Sequence, residues 1–473
     1  MDRDVRASKG RTTTAAGLAA LSLPQMLDKL SYAASWGKWS ARQRAIVRCD
    51  PPDTVAKIIL SRAGEWKLPR VAGVVTTPTL RPDGSILSAP SYDAATRLFH
   101  AVDPALRLPA MPENPTRRDA DIALERLSGL VVAFPFVTGA DRSVALSGIV
   151  TAVVRGALSV APMHAFRAPT AGTGKSYFVD LCCAIATGRI CPAITLPPRE
   201  DEAEKRLVGL LLAGYPVISI DNVNGELGGD LLCQAIERSV VRVRGLGKSE
   251  IIEIDNQTTI YANGNNLRIA GDATRRTLLG NLDAGVERPE LRTFDFDPVE
   301  LVLDDRGTYI AACLTIVRAY RAAGSPDQQP PLASFEDWSR LVRSALCWLG
   351  CDDPCQSMEA ARRDDPVLEE LREMLGAWEQ CLEIGTRYTT KDLADAAEAK
   401  RFDPDHGHAM ADHMHPELRE AVLRIAGDRG GINTRKLGNW IARYEGRIVG
   451  GLRLTRDMMQ AHGSVVQWVV QRL

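Results

Sequence analysis

The sequence predicts an α/β fold, a parallel sheet flanked by helices and organised around a glycine-rich loop. Three observations carry this. Between about 163 and 239, short β-rich runs alternate with helical patterns, and glycine closes the first two helices, at Gly188 and Gly214. The stretch "APTAGTGKS" (168–176) joins the first run to the first helix. A second apolar run, "YPVISID", ends on a carboxylate at Asp221.

At 473 residues the chain is too long for one ordinary domain. Residues 1–50 are basic and small-residue-rich, and are expected to be a loose, flexible segment. Residues 51–117 read as a small α+β module: a helix from Pro51, then β-rich runs near 70–101 about the turn Pro82-Asp83-Gly84, then a linker at 112–119. Amphipathic helices are expected at 118–133 and 142–156. They open the main α/β domain, 118–300. Its strands are read at 163–168, 191–196, 215–220 and 258–262, and its helices at 174–187, 199–213 and 229–239. A helical region follows at 301–384, with helices at 308–323, 335–350 and 366–382. The tail, 385–473, reads as helices at 390–400, 416–426 and 433–444, then strands in "RIVGGLRLT" and "SVVQWVV". That order suggests a winged helix.

The glycine-rich loop has a chemical purpose. Glycines let backbone N–H groups turn inward on phosphate oxygens, and the positive end of the next helix adds to the field. Thr170, Ala171, Gly172, Thr173 and Gly174 form the turn. Lys175 is placed to reach the β- and γ-phosphates, and the Ser176 hydroxyl to hold Mg²⁺. Pro169 stands where the usual pattern has its first glycine, but that position mainly shapes the exit from the strand. Asp221, 46 residues after Lys175, is the acid expected to organise the Mg²⁺. Its successor is Asn222, where many ATPases of this architecture carry a glutamate base, and Glu226 is the nearest acid downstream. "QTTIYANGNN" supplies Asn263 at a strand end, to position the attacking water or touch the γ-phosphate. Asn265 is its rival, and Asn-Gly by itself reads as a turn. Arg275 and Arg276 follow in "GDATRR". Either could stabilise transition-state charge in a neighbouring subunit.

Between Asp221 and Asn263 lies "VVRVRGLGKSEIIEID" (240–255), two alternating strands around a glycine-rich tip. In a ring, copies of Lys248 and Arg244 would line a central channel as a basic funnel.

Five motifs in this order, "APTAGTGKS", "ISIDN", "VRVRGLGKSEIIEI", "IYANGNN" and "GDATRR", resemble the superfamily 3 helicases of the AAA+ class. The likeness is to the phage and prophage primase-helicase proteins related to the poxvirus type. It covers about 70–300, and the tail more loosely. It implies a hexameric, cytoplasmic ATPase that uses ATP and Mg²⁺ to move along single-stranded or forked DNA, with a primase or other replication proteins as partners. In that likeness Lys175 and Ser176 are Walker A residues, Asp221 is Walker B, Asn263 is sensor 1, Lys248 is the DNA contact, and Arg275 or Arg276 is the finger. Only about 50 residues precede the shared region, without a primase-like acidic constellation, so no priming activity is expected. The competing reading, favoured by Asn222, is an ATP-binding switch that assembles on DNA or a partner without unwinding.

Composition adds constraints. Net charge is −1, so no global basic field advertises nucleic acid, and any such contact must be local. No apolar run approaches the ~18 residues of a membrane span, and "TAAGLAALSLP" is too weak for a signal peptide. The scattered cysteines suit a reducing cytosol. "HGHAMADHMH" (406–415) reads as a solvated loop before a helix rather than a zinc site.

Overall fold

A computed structural model describes residues 2–6, 12–62, 65–197, 199–244, 251–403, 408–428, 430–457 and 466–473. The chain divides into two units. One holds 1–225, 229–267 and 276–358, and the other holds 226–228, 268–275 and 359–473. Among the described residues, no helix is long and apolar enough to cross a membrane. All ten cysteines are free thiols.

The larger unit is built on a five-stranded, all-parallel sheet. Its strands are β1 (Met163–Arg167), β2 (Ala193–Ile194), β3 (Val217–Ile220), β4 (Thr259–Gly264) and β5 (Thr277–Asn281). Across the sheet the order is β5-β1-β4-β3-β2. The middle of the sheet is covered on both faces, so β4 is buried along its whole length and its side chains show no polar alternation. β5 is absent from the sequence-based assignment. Its "TLLGN" directly follows "GDATRR" with no turn signal between them, and it becomes a strand by pairing with β1.

The helix Gly139–Val154 departs from the expected amphipathic pattern. It is buried on nearly every side, because it packs on the sheet and is covered in turn by the helix Arg306–Ala322 and the π-helical turn Ser339–Arg343. Asp141, in its first turn, closes a capping box with Thr138. Its Oδ1 also accepts both the backbone and side-chain N–H of Asn281, at 2.8 Å each, which fixes the end of β5. The Arg306–Ala322 helix is anchored to the small β module through a buried ion pair, Arg306 to Asp103 at 3.0 Å, and a bond from Arg306 to Thr77 Oγ1.

Among the described part of residues 1–50 are a capped helix, Leu23–Ala33, and an antiparallel pair, Gly37–Ser40 with Ala45–Arg48. The expected helix at 335–350 is one continuous run with a π-helical middle, Ser339–Arg343.

In the smaller unit, helix Pro366–Cys381 buries Leu371, Met374 and Trp378 among Leu393, Leu418, Leu437 and Val470. The sequence assigns this helix to the preceding helical region, but its apolar face completes the core of the tail. In the tail a strand (Arg387–Thr389) precedes three helices (Thr390–Glu398, Pro416–Ala426, Thr434–Arg443), short antiparallel pairs lie between successive helices, and three further strands join the first in one sheet. "RIVGGLRLT" is a hairpin turning at Gly450-Gly451, not a single strand. The histidine-rich stretch is not a plain loop either: Lys400–Asp403 pairs antiparallel with His408–His413. Among the described residues, no cluster of three or more His, Cys, Asp or Glu is placed to hold a metal ion.

Candidate phosphate-loop site

The loop after β1 adopts the backbone that its glycines permit. Gly172 has φ +78° and Gly174 φ +97°, a region that only glycine enters freely. Both positions are also crowded. A Cβ on Gly172 would stand 3.0 Å from the Glu290 backbone, and one on Gly174 3.4 Å from the Phe134 ring. Helix Lys175–Thr187 begins immediately after, so its free N–H groups face the loop. Pro169 is exposed at the strand exit and lies outside this turn. Lys175 is buried, and its ammonium donates to Thr170 O and Thr173 Oγ1, both at 3.0 Å. Burial lowers its pKa, and the nearby Asp221 charge opposes that shift.

Ser176, Asp221 and Asn263 meet, although they are far apart in sequence. Ser176 Oγ lies 2.9 Å from Asp221 Oδ1 and 3.2 Å from Asn263 Oδ1. Three oxygens share one hydroxyl proton there, an arrangement that a hard divalent cation satisfies. Asn263 Nδ2 is buried and, among the described residues, has no hydrogen-bond partner. It is a donor left over for an anion or a water. The residues therefore fit a triphosphate with Mg²⁺: a helix-capped glycine turn and an ammonium for the anion, and a hydroxyl and a carboxylate for the cation.

Adjacent parallel strands explain the meeting. β3 and β4 are neighbours, and β4 is also paired to β1. Both acidic and amide side chains leave the C-terminal edge on which the loop also sits, where an open α/β sheet places its ligands. Gly264 makes the approach possible. A Cβ there would stand 1.9 Å from Val223 O, and Val223 N donates to Asn263 O at 2.9 Å. The Asn-Gly pair that reads as a turn is instead the end of a strand, and its glycine admits another stretch of backbone. It is Asn263, not Asn265, whose side chain reaches Ser176. Asn222 has φ +55°, which asparagine tolerates better than glutamate. The left-handed turn after β3 is thus a physical reason for the missing glutamate. Glu226 lies on the exposed part of the strand Gly225–Leu227.

The two arginines differ. Arg276 is buried and ion-paired to Glu237, which also accepts from Ser334 Oγ. A finger reaching another subunit needs an exposed guanidinium, so Arg276 does not suit that role. The Arg275 side chain is 41% exposed and pairs with Asp272 at 2.5 Å. The hairpin strands form as expected, Val240–Arg244 antiparallel to Ile251–Asp255, and Arg244 is exposed at the end of the first. Lys248, at the tip, lies outside the described residues.

Sequence reasoning missed several neighbours. Phe134, Phe136, Phe166 and Phe178 form an edge-on aromatic cluster beneath the loop, with Phe166 and Phe178 4.6 Å apart. A cleft of about 560 Å³ adjoins Gly172–Gly174 and is walled by Phe134, Tyr177, Arg292, Phe294 and Phe296. Asp180, one turn beyond Ser176, has its pKa pushed up to about 6, chiefly by burial and further by the Asp221 charge. Its only sequence signal is the i+4 spacing from Ser176.

No protein-family model matches the chain, and no curated protein matches it in sequence. Among solved structures it is similar to two apo structures of the NrS-1 C-terminal region. Both are A forms at 12% identity, with TM-scores of 0.39 and 0.37, covering 94% of this chain and 98% of that one.

Proposed function

We propose that the chain is an ATPase of the AAA+ type that moves on single-stranded DNA as an oligomeric ring within a phage or mobile-element replication module. The observation that carries this is the meeting of Ser176, Asp221 and Asn263 beside Lys175, with one donor of Asn263 left unused. The strand order β5-β1-β4-β3-β2 supports the AAA+ assignment, because it sets the amide strand β4 between the loop strand β1 and the acid strand β3. The strand, three helices and terminal strands of the smaller unit support a winged-helix tail. Lys175 and Ser176 bind the triphosphate and its Mg²⁺, Asp221 holds the Mg²⁺, Asn263 orients the attacking water, and Arg275 is the candidate finger. Arg244 and Lys248 contact DNA.

The second reading is an ATP switch that assembles without unwinding. Asn222 favours it, since no carboxylate follows Asp221 directly. ATP turnover measured with and without single-stranded DNA, beside Lys175→Ala, separates the two. A motor is stimulated by the strand and inactive in the variant. Turnover indifferent to DNA would sink the motor reading, and equal turnover in the variant would sink the site.

A further inference from the structure

We propose that the hairpin Gly37–Ser40 with Ala45–Arg48 is a contact for single-stranded nucleic acid, in which Trp39 stacks on a base and the surrounding cations hold phosphates. The strands pair with Trp39 opposite Ile46 and Gly37 opposite Arg48. Opposed residues project to the same side of a two-stranded ribbon, so Trp39, Ile46 and Arg48 share one face. That face is open: Trp39 is 62% exposed and Ile46 75%. The other face, with Lys38 and Val47, is exposed too, and no residue of either strand is buried. The hairpin therefore adds no buried side chain to the core, although an indole carries a large apolar area to cover and a lone two-stranded hairpin is marginal. Its base is nevertheless anchored. Trp36 donates from Nε1 to Leu30 O at 2.9 Å, and Cys49 N donates to Trp36 O at 3.0 Å.

The charge of the hairpin says which partner covers it. Between Trp36 and Arg48 the chain carries Lys38, Arg42, Arg44 and Arg48 and no acid, in a protein whose net charge is −1. Among the described residues, none of the four is in an ion pair. Arg42 and Arg44 lie in the exposed connection between the strands. Arg44 has φ +48°, where glycine or asparagine would be less strained. An exposed ring beside unneutralised cations is the combination that binds a single strand: the ring takes an unpaired base and the cations take the backbone. A duplex keeps its bases stacked on one another and offers the indole no free face. The contact shares its partner with the reading above but uses none of the residues of the ATP site.

The test is fluorescence anisotropy of a labelled oligodeoxythymidylate of about 16 nucleotides, titrated with the full chain and its variants over a range of salt. Trp39→Ala should weaken strand binding about tenfold, and Trp39→Tyr should restore most of it. Arg42→Ala combined with Arg44→Ala should flatten the slope of log affinity against log salt by roughly 1.4, the value for two phosphates of a single strand. Neither change should move the urea midpoint or the ATP turnover measured without DNA. A duplex of the same length should bind the parent and Trp39→Ala equally. Parental strand affinity and salt slope in these variants would overturn the proposal, as would a parent chain that binds no strand. Equal weakening on the duplex would overturn the stacking role. Loss of oligomeric mass in sedimentation with Trp39→Ala, at unchanged strand affinity, would make the hairpin a subunit contact and also overturn it. If the hairpin variants weaken strand binding while ATP turnover ignores DNA, the contact stands and the motor reading falls.

Discussion

Asp255 ends the second strand of the hairpin at 251–255, and its carboxylate is almost wholly buried between two arginines of the small β module. It accepts from Arg70 Nε at 2.8 Å and from Arg97 Nη1 at 2.6 Å, and only 3% of its side chain is exposed. The clamp ties the base of the hairpin to residues more than 150 positions earlier in the chain. Replacing Asp255 with alanine removes two charge-assisted bonds, each worth about 1.5–3 kcal/mol. The two arginines are 53% and 39% exposed, so water can take over part of their solvation. Arg70 also keeps Glu253 at 3.6 Å. The net loss should therefore fall near the lower bound, roughly 2–3 kcal/mol. The inner face, Val241, Val243 and Ile254, remains buried, so the strands should loosen rather than melt. Equilibrium urea unfolding gives the energy, and hydrogen exchange at 240–244 and 251–255 gives its location. In the functional reading, stimulation by single-stranded DNA should drop while nucleotide affinity holds. A loss under about 0.5 kcal/mol, in the range of ordinary surface pairs, with unchanged exchange would refute the clamp. Loosened strands with full DNA stimulation would remove the hairpin from the motor.

Three further outcomes are expected. Arg276→Ala leaves Glu237 nearly buried without its cation and should cost about 3–5 kcal/mol in urea unfolding. Arg275→Ala should leave stability within about 0.5 kcal/mol yet lower turnover of the assembled protein; the reverse pattern would exchange their roles. His164 is buried beside Ser147, and burial pushes its pKa down to about 3. The unfolded imidazole titrates near 6.5, so between these values only the unfolded chain binds the proton. Its stabilising contribution is complete above pH about 6.5 and is lost as pH falls, by about 2 kcal/mol at pH 5. His164→Gln should flatten that part of the stability–pH curve by about the same amount, and an unchanged slope would show that another group governs it.

The sequence by itself determined the elements whose signals are local. A glycine-rich turn before a helix, an apolar run ending in an acid, and alternating strands around "RGLGK" are each written within about fifteen residues. Helix Lys175–Thr187 accordingly falls within one residue of its expected bounds, and both hairpin strands lie inside theirs. The tertiary structure alone decided what depends on neighbours in space. β5 is a strand because β1 offers it an edge. Helix Gly139–Val154 is buried all round because other helices close over it. Helix Pro366–Cys381 joins the tail because its apolar face completes that core. The site divides in the same way. Lys175 and Ser176 are legible as a pair of neighbours, but the meeting of Ser176, Asp221 and Asn263 follows from strand order and from the absence of a Cβ at Gly264. The two arginines are adjacent in sequence and alike in chemistry. Only packing, with Glu237 buried against Arg276 and Asp272 exposed beside Arg275, separates a structural cation from one that can reach outward.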